Sequence, residues 1–173
     1  MNRLSDYRYC PYDGERLIVN DGASAGRGAC PKCGFTDYQN PKACVAILIT
    51  KGSEILLARR AIEPAKGQWD IPGGFVEAGE STEDAVIREA LEETSLRIRV
   101  KQYLGSVPDV YGPRQVPTVN LCFLAEVLEG EPKPKSDVDA LVWFPFDQLP
   151  EKMAFAHQQR AIQLLKENLR SSG

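Results

Sequence analysis

GFVEAGESTEDAVIREALEETSL (74–96) contains REALEE (88–93), which sets three glutamates and an arginine in six consecutive positions. On a helix each residue advances by about 100°, so Glu89, Glu92 and Glu93 fall within one arc of about 100°. Val86, Ile87, Ala90 and Leu91 fall opposite, which predicts an amphipathic helix with an apolar stripe toward a core and an acidic stripe facing away. Like charges at i,i+4 cost a helix roughly 0.2–0.5 kcal/mol per pair, so the acidic stripe needs an offsetting partner. A solvated face partly neutralised by Arg88 is one answer; a bound cation is the other.

The flanking residues favour the cation. Trp69-Asp70-Ile71-Pro72-Gly73-Gly74 ends a short strand in a double glycine, where backbone can turn sharply and approach a ligand. Ser81 is a good N-cap, and Glu83 and Asp84 suit the first turn of a helix dipole. Gly74, five residues, Glu80, seven residues, Arg88-Glu89, then Ala90, Leu91, Glu92-Glu93, Thr94, Ser95 and Leu96 resemble, in register, the Nudix box G-x5-E-x7-R-E-U-x-E-E-x-G-U. Ser95 departs from the pattern: glycine stands there in the family, at the left-handed C-cap of the helix.

The resemblance implies a metal-dependent hydrolase of diphosphate bonds. Glu89, Glu92 and Glu93 are then ligands of Mg²⁺ or Mn²⁺, helped by a backbone carbonyl at Gly73 or Gly74, and Arg88 and Glu80 orient them. The chemistry is coherent, because hard carboxylate and phosphate oxygens share such cations, whereas a bare acidic face repels a diphosphate. In some family members the glutamate matching Glu89 is the general base and in others a loop supplies it; that role stays open. No Ser/His/Asp arrangement competes, and His157, the single histidine, is expected at a surface or rim.

The chain has 173 residues and a formal net charge of −3, about one domain with an appendage and no evident affinity for DNA or long RNA. ACVAILI (43–49), the longest apolar run, is far short of the ~20 residues a membrane span needs, and no secretion signal opens the chain. A soluble, cytoplasmic protein is expected.

Cys30 and Cys33 form a C-P-K-C-G knuckle, and twenty residues earlier C-P-Y-D-G repeats it with Cys10 first and Asp13 in the place of the second cysteine. Zinc accepts carboxylate oxygen in a tetrahedral site, so Cys10, Asp13, Cys30 and Cys33 are candidates for one structural Zn²⁺; a metal-free relic of a zinc ribbon is the alternative. NDGASAGRGA (20–29) leaves the segment 1–38 little apolar material of its own.

From 39 to 173 the composition is that of a folded domain. CVAILIT and EILLARR read as a hairpin turning at Lys51-Gly52-Ser53; RIRVKQYLGSV (97–107), TVNLCFLAEV (118–127) and ALVWFPF (140–146) as strands; and FAHQQRAIQLLKENL (155–169) as a closing helix. The fold class is α/β, and the resemblance implies the Nudix arrangement of mixed sheets sandwiched between helices.

The ribbon, YQNPK (38–42), R-x8-W-x2-PGGFVEAGE and WFPFDQLPEKMAF together resemble the ribbon-bearing hydrolases of ADP-ribose, FAD and NADH. The S-Q-P-W-P-F-P motif of the NADH enzymes is missing, which favours ADP-ribose or FAD as the small-molecule partner. PDVYGPRQVPT (108–118) reads as a long connection in which Tyr111 can stack on a base or flavin and Arg114 can meet a phosphate or ribose. Phe155 and Trp69 are expected in the core. A nucleoside triphosphate or RNA-cap pyrophosphatase and a non-catalytic nucleotide-binding regulator are the alternatives, the last disfavoured by the intact glutamates. Many family members are homodimers, which extends to this chain as an expectation.

Overall fold

The computed structural model describes residues 7–19 and 26–171. The chain divides into two compact units, Met1–Asn40 and Pro41–Gly173.

In the first unit, β1 (Ile18–Val19) pairs antiparallel with β2 (Gly28–Ala29). The two knuckles share one backbone pattern: Cys10 N–H donates to the Glu15 carbonyl and Gly14 N–H to that of Cys10, as Cys30 donates to Phe35 and Gly34 to Cys30. Both turns need positive φ, 73° at Gly14 and 78° at Gly34, and glycine supplies it.

In the second unit the elements run β3 (Lys42–Lys51), β4 (Glu54–Arg60), β5 (Trp69–Asp70), α1 (Thr82–Thr94), β6 (Arg97–Tyr111), β7 (Val116–Glu129), β8 (Val138–Pro145) and α2 (His157–Ser171). They build one mixed sheet in the order β5-β4-β3-β7-β6, with β8 also paired to β4. The expected hairpin survives only at its tip, where Thr50 faces Ile55 and Lys51 faces Glu54. Beyond it β3 runs parallel to β7 from Lys42↔Thr118 to Thr50↔Glu126, while β4 turns to antiparallel β8.

The continuous apolar run in β3 follows from burial on both faces. Val45, Ile47 and Ile49 pack with Ala85, Val86 and Ala90 of α1; Ala46 and Leu48 pack with Ala161, Ile162 and Leu165 of α2. At about 25 cal/mol per Å² of apolar surface, each such fully buried aliphatic side chain contributes roughly 1.5–3 kcal/mol before entropy is charged against it. The sheet is thus sandwiched between two helices, as the family resemblance implies.

Helix α1 is rotated from its expected setting. Ile87 and Leu91 are about half exposed, at 49% and 48%, whereas Glu93 is 7% exposed. The stripe that meets the sheet is Ala85, Val86, Ala90, Glu93 and Thr94, so the acidic stripe runs along the edge of the packed face rather than opposite to it. Ser81 caps the N-terminus in a capping box with Asp84, and Ser95 closes the other end in the left-handed conformation at φ 62°.

Among the described residues no helix is long and apolar enough to cross a membrane.

Candidate active site

The double glycine and α1 meet across a close approach that only glycine permits. At Gly73, φ is 152° and a Cβ would stand 2.0 Å from the Val45 carbonyl oxygen; a Cβ on Gly74 would stand 2.2 Å from Glu89 Oε1. The Gly73 N–H donates to Glu93 Oε2 at 3.0 Å, which fixes the buried carboxylate beside the loop. Val45 N–H donates to the Gly74 carbonyl and Ile47 N–H to that of Pro72, so the loop is stitched to the central strand β3.

Arg88 organises the acidic edge. Its Nε and Nη2 donate to the two oxygens of Glu80 at 3.1 and 2.6 Å. Nη1 donates to Glu89 at 2.8 Å and Glu92 at 3.2 Å, and Nη2 also reaches the Phe75 carbonyl at 3.0 Å. A planar fork with several donors does this where a lysine point charge would not. Arg88 holds Glu80 below its ordinary pKa. Glu89 and Glu93 go the other way. Burial pushes Glu89 up against the pull of Arg88, with Glu92 and Asp137 adding repulsion. Burial also pushes Glu93 well above the usual carboxylate range, the Gly73 N–H opposing and Asp137, Asp70 and Glu89 reinforcing it.

These groups line a cleft of about 380 Å³. Its other wall is aromatic: Phe75 meets Tyr111 edge-on at 5.3 Å between ring centroids, Tyr111 meets Phe155 at 5.8 Å, and Phe155 stacks on His157 at 6.0 Å. Arg60 sits over the Phe155 ring at 5.0 Å and is tied to Asp70 by an ion pair of 2.8 Å, and Gln158 donates to the same aspartate. Burial raises Asp70 against the opposing pull of Arg60.

Gly73, Gly74, Arg88, Glu89, Glu92, Glu93 and Tyr111 come together in the cleft wall, with Glu80 behind Arg88. Arg114 does not line the cleft. The segment expected as a long connection is strand up to Tyr111, a tight turn closed by Gln115 N–H on the Gly112 carbonyl, and strand again from Val116, so Arg114 is exposed at a hairpin tip. Phe155, expected in the core, and His157, expected at a surface or rim, both line the cleft, whereas Trp69 packs on Phe144. Sequence reasoning missed Arg60, Asp70, Asp109 and Asp137. Arg60 is the arginine of R-x8-W and Asp70 follows its tryptophan, which was a signal; Asp137, in a Pro/Lys-rich connection, had none.

In the first unit the ligand atoms of Cys10, Asp13, Cys30 and Cys33 lie within 4.8 Å of one another. Cys10 Sγ is 3.5 Å from Cys33 Sγ, and Cys30 Sγ is 3.5 Å from Asp13 Oδ2. Thiolates about 2.3 Å from a tetrahedral zinc stand roughly 3.8 Å apart, so the donor set fits that ion.

A strand, a glycine loop, an acidic helix and an arginine fork together make a candidate site for phosphate esters, and the comparisons with known proteins give the family. The model of the NUDIX domain matches residues 40–165, so the chain belongs to the Nudix hydrolases. It is 41% identical over 124 residues to an ADP-ribose pyrophosphatase of Methanocaldococcus jannaschii, covering 70% of this chain and 72% of that one. It is 35% identical over 144 residues to the NAD-capped RNA hydrolase NudC of Pseudomonas aeruginosa, covering 83% of this chain and 49% of that one. The chain therefore spans about half the length of that relative. A crystal structure of a NUDIX hydrolase from Nitrosomonas europaea superposes with a TM-score of 0.73 at 28% identity, over 92% of this chain and 89% of that one. Nudix hydrolases generally need a divalent cation such as Mg²⁺ or Mn²⁺.

Proposed function

We propose that the protein hydrolyses a nucleoside diphosphate linked to a second moiety, ADP-ribose or FAD in preference to a nucleoside triphosphate, releasing AMP and a phosphorylated product. The observation that carries this reading is the cleft itself: carboxylates suited to a hard cation on one wall, a ladder of aromatic rings on the other. The likeness to an ADP-ribose pyrophosphatase supports it. The NudC relatives extend it to NAD-type dinucleotides, which share the diphosphate and the adenosine half.

Glu89, Glu92 and Glu93 are the residues that would hold Mg²⁺ or Mn²⁺. The hard-oxygen donor set fits such an ion, and the missing Gly74 Cβ lets the Glu89 carboxylate lie against the glycine loop. When bound, the cation supplies charge neutralisation for the diphosphate and polarises its oxygens. The chain's own residues supply position: Arg88 sets the carboxylates, Gly73 anchors Glu93, and Tyr111 and Phe155 offer faces for a planar base. Cys10, Asp13, Cys30 and Cys33 would hold one structural zinc.

The test is hydrolysis of ADP-ribose, FAD, NADH and nucleoside triphosphates with Mg²⁺ or Mn²⁺, products being separated by chromatography. AMP release with the highest kcat/KM on ADP-ribose or FAD is expected; a triphosphate as best substrate would overturn the reading.

A further inference from the structure

At the end of the ring ladder, His157 and Asp109 form a pair that phosphate chemistry leaves unused. His157 Nδ1 lies 2.8 Å from Asp109 Oδ2, and the same oxygen accepts the His157 backbone N–H at 3.1 Å. The aspartate comes from β6 and the histidine opens α2, so one carboxylate both caps the helix and holds the ring. Both side chains are nearly buried, at 10% and 13% exposed.

A carboxylate can only accept, so the bond to Asp109 places the ring proton on Nδ1 and makes Nε2 of the neutral imidazole an acceptor. Among the described residues Nε2 has no hydrogen-bond partner and no side-chain nitrogen or oxygen is both buried and unpaired, so Nε2 is open. His157 lines the cleft, which is the space the structure offers beside its ring. The wall's two guanidinium groups are engaged: Arg60 with Asp70 and the Pro64 carbonyl, Arg88 with its glutamates.

We propose that His157, oriented by Asp109, is a specificity-determining residue whose Nε2 accepts a hydrogen bond from a ribose hydroxyl of the bound diphosphate ester. Resting on the substrate class proposed above, this assignment adds a sugar contact to the cleft. Three ring-to-ring steps separate His157 from Phe75, whose carbonyl is held by Arg88, so the pair faces the organic part of the substrate rather than the phosphates. Asp109 is a positioning residue.

Two substitutions separate recognition from structure. In His157→Asn the amide stands in for Nδ1 and keeps the bond to Asp109 but loses Nε2; in His157→Gln the amide reaches the place of Nε2. Loss of one neutral hydrogen bond predicts a KM for ADP-ribose raised about five- to tenfold in His157→Asn, with kcat within about twofold and an unchanged melting temperature. His157→Gln is expected to recover most of the KM. A purely structural histidine gives the opposite order, with His157→Asn like wild type and His157→Gln impaired, and that result would overturn the assignment. Failure of the wild-type protein to turn over ADP-ribose would instead remove the substrate class and this contact with it.

Discussion

Replacing Glu93 by glutamine is expected to make the metal-free protein more stable and the enzyme nearly inactive. Glu93 is 7% exposed, and burial with repulsion from Asp137, Asp70 and Glu89 raises its folded-state pKa well above its ordinary value. Between the unfolded and the raised folded value the folded protein binds more protons, so stability falls as pH rises through that window and the whole penalty persists above it. Each unit of that rise costs the ionised folded state about 1.4 kcal/mol. In a chain of this size about 1 kcal/mol moves Tm by roughly 2–4 °C. Glutamine keeps an oxygen for the Gly73 N–H and removes the charge. In chelator at pH 8, Glu93→Gln should therefore melt about 3–6 °C above wild type for each unit of raised pKa, and the gap should close below the ordinary range of a glutamate. With saturating Mg²⁺, kcat/KM for ADP-ribose should fall at least about 100-fold, because a cation ligand is lost. Differential scanning fluorimetry across pH, with and without Mg²⁺, and an AMP-release assay measure both. A lower Tm at pH 8 in chelator, or near-normal turnover, would refute the placement of Glu93 as a buried cation ligand.

Other perturbations probe the remaining parts of the two units. Arg88→Ala strips Glu80, Glu89 and Glu92 of their common partner, and urea unfolding should report a loss of about 2–3 kcal/mol, with Arg88→Lys intermediate because it lacks the fork. Gly74→Ala collides with the Glu89 carboxylate and should abolish turnover while circular dichroism stays native; Gly73→Ala meets the Val45 backbone and should destabilise the fold. Tyr111→Ala should raise KM about tenfold, as base stacking is worth about 1–3 kcal/mol, whereas Arg114→Ala should change it less than about twofold; the reverse order would move recognition to the hairpin tip. If zinc holds the first unit, metal analysis of protein never exposed to chelator should find about one zinc per chain, and Cys33→Ser should speed hydrogen exchange before Tyr38 more than in α1.

The candidate site was legible where its residues sit close together in sequence. Gly74, Glu80, Arg88, Glu89, Glu92 and Glu93 lie on one loop and one helix, so their spacing alone reports that they meet, and Ser81 and Ser95 mark where that helix begins and ends. Backbone preference and helical periodicity are local, and the α/β class followed from them. The rotation of α1 was not local. Glu93 is buried and Ile87 exposed because the sheet and the Gly73 N–H meet one side of the helix, and no periodicity states where a partner will lie.

The same division explains the cleft. Arg60, Asp70, Asp109, Asp137 and His157 come from different strands, a connection and a second helix, and only the parallel pairing of β3 with β7 and the docking of α2 bring them beside the acidic helix. The antiparallel pairing of β6 with β7 closed the expected loop around Arg114 into a tight hairpin, and the chain entering α2 brings Phe155 beside Tyr111 in one wall. The sequence by itself determined the acidic helix and its glycine loop, because local spacing encodes them. Tertiary structure decided which carboxylate is buried and which side chains complete the cleft, because burial is a property of what packs against a surface.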